Sequence, residues 1–187
     1  MSDIRWFTSD THFLHKNIVH IGNGRPWDNY EDMTEGLINN WNGVVGKSDL
    51  IYHLGDFSFG NKEQTTEILR RLKGRIHIIR GNHDKTLDQV VKSNPELVES
   101  YQPYKEIKID EQRLVLFHFP ILSWHQMHKG SWHLHGHCHN NLKFDNGPMM
   151  DVGVDACDWR PIEYSEVRER LIDREIKTYD HHAPGED

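Results

Sequence analysis

A chain of 187 residues, 36% hydrophobic and 27% charged, is long enough to bury the core of one domain and holds no apolar run near the ~20 residues of a membrane crossing. The formal net charge of −7, with no Lys/Arg cluster, argues against sequence-specific nucleic-acid binding and leaves small anionic substrates open where cations offset the charge locally. Two cysteines cannot form a disulfide framework and "MSDIRWFTSD" lacks the pattern of a secretory signal, so a cytoplasmic location is expected.

The predicted elements begin with "IRWFTS" (4–9), a β-branched and aromatic run that reads as a buried strand. A helix follows in "YEDMTEGLINNWN", where Met33, Leu37 and Trp41 recur on one face. "DLIYHL" (49–54) is a second strand, "KEQTTEILRRLKG" a helix stopping at Gly74, and "RIHIIR" (75–80) a third strand. "KEIKI" (105–109) and "RLVLFHF" (113–119) form a hairpin turning at Asp110-Glu111. "SWHLHG" (131–136) and "MMDVGV" (149–154) are further strands, and "SEVRERLIDREI" is a final helix with Val167, Leu171 and Ile172 on one side. The order βαβαβ, then mostly β, then a helix predicts an α/β sandwich with a mixed sheet. One domain is expected over 1–178, with 179–187 a disordered tail.

Chemistry concentrates where these strands end. The first is followed by Asp10 and His12, the second by Asp56, the third by Asn82, His83 and Asp84. His118 closes the hairpin's second strand, and "HLHGHCHN" (133–140) supplies His137 and His139 after the next. Loops after the carboxyl ends of strands are where an open α/β sheet binds ligands, so these donors can converge. Two Asp, four His and one Asn amide are too many for one tetrahedral zinc and suit two divalent metals about 3.5–4 Å apart. The period-two spacings of Asp10-x-His12 and His137-x-His139 would point both members of each pair the same way in extended chain. A structural zinc knot at 133–140 lacks a CxxC partner, because Cys157 is isolated.

"DTH" (10–12), "GDF" (55–57), "GNHD" (81–84), His118 and "GHCH" (136–139) resemble, in order and placement, the five motifs of the calcineurin-like metallophosphoesterases. The likeness spans residues 4–155. Small size and the segments "HKNI" (15–18), "GRPW" (24–27) and "YHLGDFSFG" resemble a compact bacterial and phage branch of that superfamily. The resemblance implies a four-layer α/β/β/α sandwich with mixed sheets and a dinuclear site. Asp10, His12 and His139 would hold one metal, Asn82, His118 and His137 the other, and Asp56 would bridge. His83 would face the substrate phosphate without ligating, and Asp84 would orient it by accepting its other N–H.

The implied reaction is phosphoester hydrolysis. Two cations, Mn²⁺ first with Fe, Zn, Ni, Co or Mg as alternatives, neutralise phosphate oxygens and lower the pKa of a bridging water from 15.7 toward about 7 for in-line attack. A phosphodiesterase on a small or nucleotide-type substrate is favoured over a monoesterase, because in this family the "GNHD" histidine is associated with diester cleavage. A nuclease or phosphomonoesterase with the same site is the enzymatic alternative, and a non-catalytic scaffold of the same fold the rival of another class. Arg25, in the long loop after the first motif, has phosphate contact as the lesser of its readings. His15, His20, His125 and His128 read as solvent-exposed, His133, His135 and Cys138 as packing residues, and Trp27, Trp124 and Trp132 as core or rim.

Overall fold

The computed structural model describes residues 4–21, 24–143 and 146–179, so most of the expected tail lies outside the described residues. Strand–helix steps fill the first half: β1 (Arg5–Thr8), α1 (Tyr30–Val44), β2 (Leu50–His53), α2 (Lys62–Arg71), β3 (Arg75–Ile79), α3 (Lys85–Ser93) and β4 (Ser100–Gln102). These strands pair in parallel in the order β4-β3-β2-β1. The second half adds β5 (Tyr104–Ile109), β6 (Gln112–Phe117), β7 (Trp132–His135), β8 (Met149–Asp151), β9 (Ile162–Glu163) and α4 (Tyr164–Leu171). β9 joins the first sheet antiparallel to β1, while β5-β6-β7-β8 form a second sheet in which β6, β7 and β8 run parallel.

Period-two alternation assigns the faces of the first sheet. Trp6, Ile51, Ile76 and Ile78 pack under the helices against Met33, Leu37, Trp41, Ile68, Leu87 and Val90. Phe7, Tyr52, Leu54 and Ile79 face the other way and meet Leu114, Leu116, Trp132 and Leu134 of the second sheet, with Val167 and Leu171 of α4. The mixed α/β architecture of two packed sheets expected from sequence is therefore present. Over the outer face of the second sheet the covering layer is thin, with Trp124, Met127 and Ile121 from the 120–131 segment closing over Val115 and Met149.

Local signals account for the main elements. Asn29 caps α1 by accepting the Asp32 N–H, and Asn61 with Gln64 forms a capping box on α2. The hairpin turns at Asp110 and Glu111, both left-handed (φ 47° and 70°), as a tight two-residue connection requires. Boundaries differ from expectation in two helices. α2 stops at Arg71, with Gly74 (φ 99°) in the turn beyond, and α4 stops at Leu171, which leaves Ile172 exposed rather than on the buried side. α3, β4 and β9 are additional elements.

Parallel pairing points the carboxyl ends of β1, β2 and β3, and of β6, β7 and β8, toward one region. The sheets are stitched there by a parallel bridge between Ser9 and Gly153 and by the Val154 N–H donating to Ser9 O at 3.0 Å. Among the described residues, no helix is long and apolar enough to cross a membrane. Leu134 is fully buried between the sheets, so Leu134→Ala is expected to lower the unfolding free energy by about 2–5 kcal/mol in urea denaturation.

Candidate metal centre

Two groups of donors form where the strand ends meet. Asp10, His12 and His139 lie within 4.8 Å of one another through one ligand atom each, and Asp56, His118 and His137 do the same. The Asp56 carboxylate stands between the groups. Its Oδ1 accepts the His83 N–H at 2.9 Å, while Oδ2 lies 3.7 Å from His12 Nε2 and 3.6 Å from His118 Nε2. Asn82 completes the second group, with Oδ1 2.9 Å from His118 Nε2.

The backbone at these residues is unusual. Asp10, His12, Asp56, His137 and His139 all have positive φ, between 47° and 69°. Each such non-glycine residue costs on the order of 1–3 kcal/mol and persists only where its surroundings enforce it. The enforcement is visible: Asp10 N–H donates to Gly55 O at 3.0 Å, His12 N–H to Asp56 O at 3.1 Å, and His137 N–H to Asp10 Oδ2 at 2.9 Å. Gly136 lies so close to Ser9 and Asp10 that a Cβ there would overlap Ser9 Oγ and Asp10 Oδ2. The extended-chain reasoning for the two His/Asp pairs is thereby corrected. Left-handed turns, rather than strand alternation, aim Asp10 and His12 into one group and split His137 and His139 between the two.

Hydrogen bonds set which imidazole nitrogens face inward. His118 Nδ1 donates to Leu54 O at 2.7 Å, which leaves the Nε2 lone pair among the oxygens of Asn82 and Asp56. His139 Nδ1 donates to Asp155 Oδ2 at 2.8 Å and turns Nε2 toward Asp10 Oδ1, 4.0 Å away. Asp155 in turn is forked by Arg25, at 3.1 and 2.9 Å, and the same guanidinium donates to Asp10 O at 2.8 Å and Thr11 O at 2.9 Å. Arg25 is thus a buried clamp on the loop, not a phosphate ligand. Behind it, Gly55 N–H donates to His53 Nδ1, so Nε2 carries the proton to Thr11 Oγ1, whose hydroxyl donates to Phe57 O. Burial pushes His53 down to about 3 and keeps it neutral.

The donor set fits divalent cations. Asp10 Oδ1 and both ring nitrogens of His12 are buried without a hydrogen-bond partner in the described structure, and acceptors crowd one another at the second group. Buried polar atoms in that condition cost about 1–3 kcal/mol each unless something positive satisfies them. Burial would raise Asp10, yet the imidazoles of His12, His118 and His139 outweigh it and hold the carboxyl well below the usual range. Asp56 is likewise lowered against its burial, chiefly by His118. Burial lowers His12 and His137, leaving their lone pairs open. His118 and His139 are raised against burial by Asp56 and Asp155 respectively.

A family model described as the calcineurin-like phosphoesterase superfamily domain matches residues 6–152, a span that contains both donor groups. The chain belongs to the calcineurin-like phosphoesterase superfamily. It is therefore placed among hydrolases of phosphate esters. An uncharacterized protein of Methanocaldococcus jannaschii is 34% identical over 166 residues, covering 84% of this chain and 85% of the relative. The gene 66 protein of Mycobacterium phage D29 is 29% identical over 204 residues, covering 94% and 98%. A solved structure from Aquifex aeolicus, a protein of unknown function, matches with 25% identity and a TM-score of 0.69 over 90% of this chain and 100% of that one.

Beside the first donor group, this calcineurin-like phosphoesterase has a cleft of about 580 Å³ lined by His12, His15, Phe59, His83, His139 and Trp159. His83 is exposed, with its ring 5.1 Å from Phe59 and 6.0 Å from His12. His15 is half-buried against Phe59, with ring centroids 4.0 Å apart, and belongs to the cleft rather than to open solvent. His133 and His135 are buried as expected, as are Trp124 and Trp132. Asp84 departs from its expected partner. Its carboxylate accepts the N–H groups of Asp56 (3.0 Å), Phe57 (2.8 Å) and Gly81 (2.7 Å), so it shapes the Asp56 loop instead of orienting His83. Asp155, His53 and Thr11 are supporting residues that motif spacing did not reveal. Asp84→Ala would strand three buried N–H groups, and we expect a loss of roughly 3 kcal/mol or more together with weakened divalent-cation binding. A variant that folds and binds cations normally while losing only turnover would restore the His83 role.

Proposed function

We propose that this chain is a dinuclear metal-dependent phosphodiesterase acting on a small or nucleotide-type substrate. The observation that carries the reading is Asp56 Oδ2, nearly equidistant from His12 Nε2 and His118 Nε2 between the two donor groups. Asp10, His12 and His139 would hold one cation, Asn82, His118 and His137 the other, and Asp56 both. When bound, two divalent cations, Mn²⁺ in our reading, would neutralise phosphate oxygens and supply a nucleophilic water at neutral pH.

The chain's own residues do the rest. The bonds of His118 to Leu54 O and of His139 to Asp155 fix the tautomers that present Nε2 lone pairs. His83 is held through its backbone by Asp56 with its ring left exposed, and would give a proton to the departing ester oxygen. Phe59 and Ile21 are exposed apolar side chains of the cleft, suited to the organic group of an ester. Arg25 is committed to Asp155 and two backbone carbonyls, so it is not available to the second charge of a monoester dianion. That favours the singly charged diester.

Metal-stripped protein should not hydrolyse bis(p-nitrophenyl) phosphate until Mn²⁺ is added, and Asp56→Asn should abolish that turnover and lower metal content from about two ions per chain. Near-normal activity in Asp56→Asn would sink the bridging assignment. His83→Ala should keep its metal and lose about 10²–10⁴-fold in kcat, whereas lost metal would make it a ligand. The raised His118 and His139 must shed protons to bind a cation, so apparent Mn²⁺ affinity should climb as pH rises through their elevated pKa values. Calorimetry in buffers of different ionisation enthalpy would detect that proton release, and pH-independent affinity would contradict it.

A further inference from the structure

His15 lines the cleft beside the first donor group and belongs to neither group. Its ring centroid lies 5.6 Å from that of His12, with the planes at 85°, and 4.0 Å from that of Phe59. The same Phe59 ring lies 5.1 Å from His83. Two imidazoles outside the donor groups therefore share one aromatic wall of the cleft.

The local chain fixes where the His15 proton resides. Leu14 is left-handed (φ 62°) and the His15 N–H donates to His12 O at 3.0 Å, so the chain turns back directly after the donor residue. His15 Nδ1 then accepts the N–H of Asn17 at 3.2 Å and of Ile18 at 3.0 Å, opening the short helical turn Ile18–His20. A ring nitrogen that receives two N–H donors carries no proton, so the hydrogen of the neutral ring is on Nε2. No described residue accepts from Nε2, on a ring that is half-buried and lines the cleft. His15 thus offers the cleft a hydrogen-bond donor and no lone pair, which makes it neither a metal ligand nor a base.

We propose that His15 donates from Nε2 to a non-bridging oxygen of the substrate phosphate, a catalytic contact additional to that of His83. The inference rests on the phosphoesterase reading of the site. The wiring of the two rings separates their tasks. His83 is held through its backbone N–H by Asp56 Oδ1, with its ring exposed and free to give up a proton. His15 has Nδ1 committed to the turn and acts as a fixed dipole, stabilising charge that builds on the phosphoryl oxygens while keeping its proton.

His15→Asn separates this contact from the turn. An Asn side-chain oxygen accepts the N–H groups of Asn17 and Ile18 in place of Nδ1, as in an Asx turn, and the shorter amide leaves nothing where Nε2 stood. With Mn²⁺ and bis(p-nitrophenyl) phosphate, His15→Asn should keep its metal content and lose about tenfold in kcat/KM, the scale of one hydrogen bond to a charged acceptor. Unchanged kcat/KM in His15→Asn would reduce His15 to a brace for the turn and overturn the inference, as would loss of metal together with turnover. A second measurement needs no turnover: nitrogen-15 NMR of histidine-labelled, Zn²⁺-loaded protein, with the His15 signals assigned by their loss in His15→Asn. The expected result is a proton on Nε2 and a shift of that signal on titration with inorganic phosphate. A proton on Nδ1, or an Nε2 signal indifferent to phosphate, overturns the inference. If wild type hydrolyses no diester, the phosphodiesterase reading fails instead, and the NMR titration alone decides the His15 contact.

Discussion

One carboxylate oxygen, Oδ2 of Asp56, is suspended between His12 and His118 at distances too long for hydrogen bonds and suited to a shared cation. Much of the nearby structure holds it there. Asp84 grips the backbone of Asp56 and Phe57 and ties it to Gly81 at the end of β3. His83 N–H occupies the other oxygen of Asp56 and so decides which one points inward. Gly55 lets the loops close up: a Cβ there would come within 2.8 Å of His118 Nδ1. The parallel strands beneath supply the common direction from which these loops arrive.

This arrangement is unfavourable on its own. Five left-handed residues, two buried carboxylates and several inward-facing lone pairs gather in a small volume. Like-signed acceptors repel, and local strain of this kind collects at functional sites, where the surrounding fold over-determines it. Here the over-determination comes from the packed inter-sheet core and from buried polar ties. His53 links the Asp10–His12 turn to the Asp56 loop through Thr11, and Arg25 links that same turn to Asp155 and through it to His139. The stability of the two sheets is thus converted into a preorganised set of candidate metal donors.

The convergence of the donor residues was more legible in the sequence than their supports were. Asp10, His12, Asp56, Asn82, His118, His137 and His139 stand in motifs at strand ends, and the structure gathers them into two adjoining groups because strand polarity leaves them little alternative. Asp84, expected to accept an N–H of His83, and Arg25 both brace backbone here, because a buried loop needs its own hydrogen-bond partners first. Asp155 and His53 lie far in sequence from the loops they brace, so only the folded chain reveals them. β4 and β9, at three and two residues, carry too little periodicity to be read. The apolar stripe of α3, Leu87 and Val90, was masked by the turn signals of the "GNHD" segment before it.

The central claim is that Asp56 makes two cation sites into one dinuclear centre. Electron paramagnetic resonance during titration of metal-free protein with Mn²⁺ tests it most directly. With two equivalents bound, ions about 3.5–4 Å apart and joined by a carboxylate should give the spectrum of an exchange-coupled pair. Asp56→Asn should return it to isolated Mn²⁺. Two equivalents that bind tightly yet stay uncoupled in the unmutated protein would contradict the account.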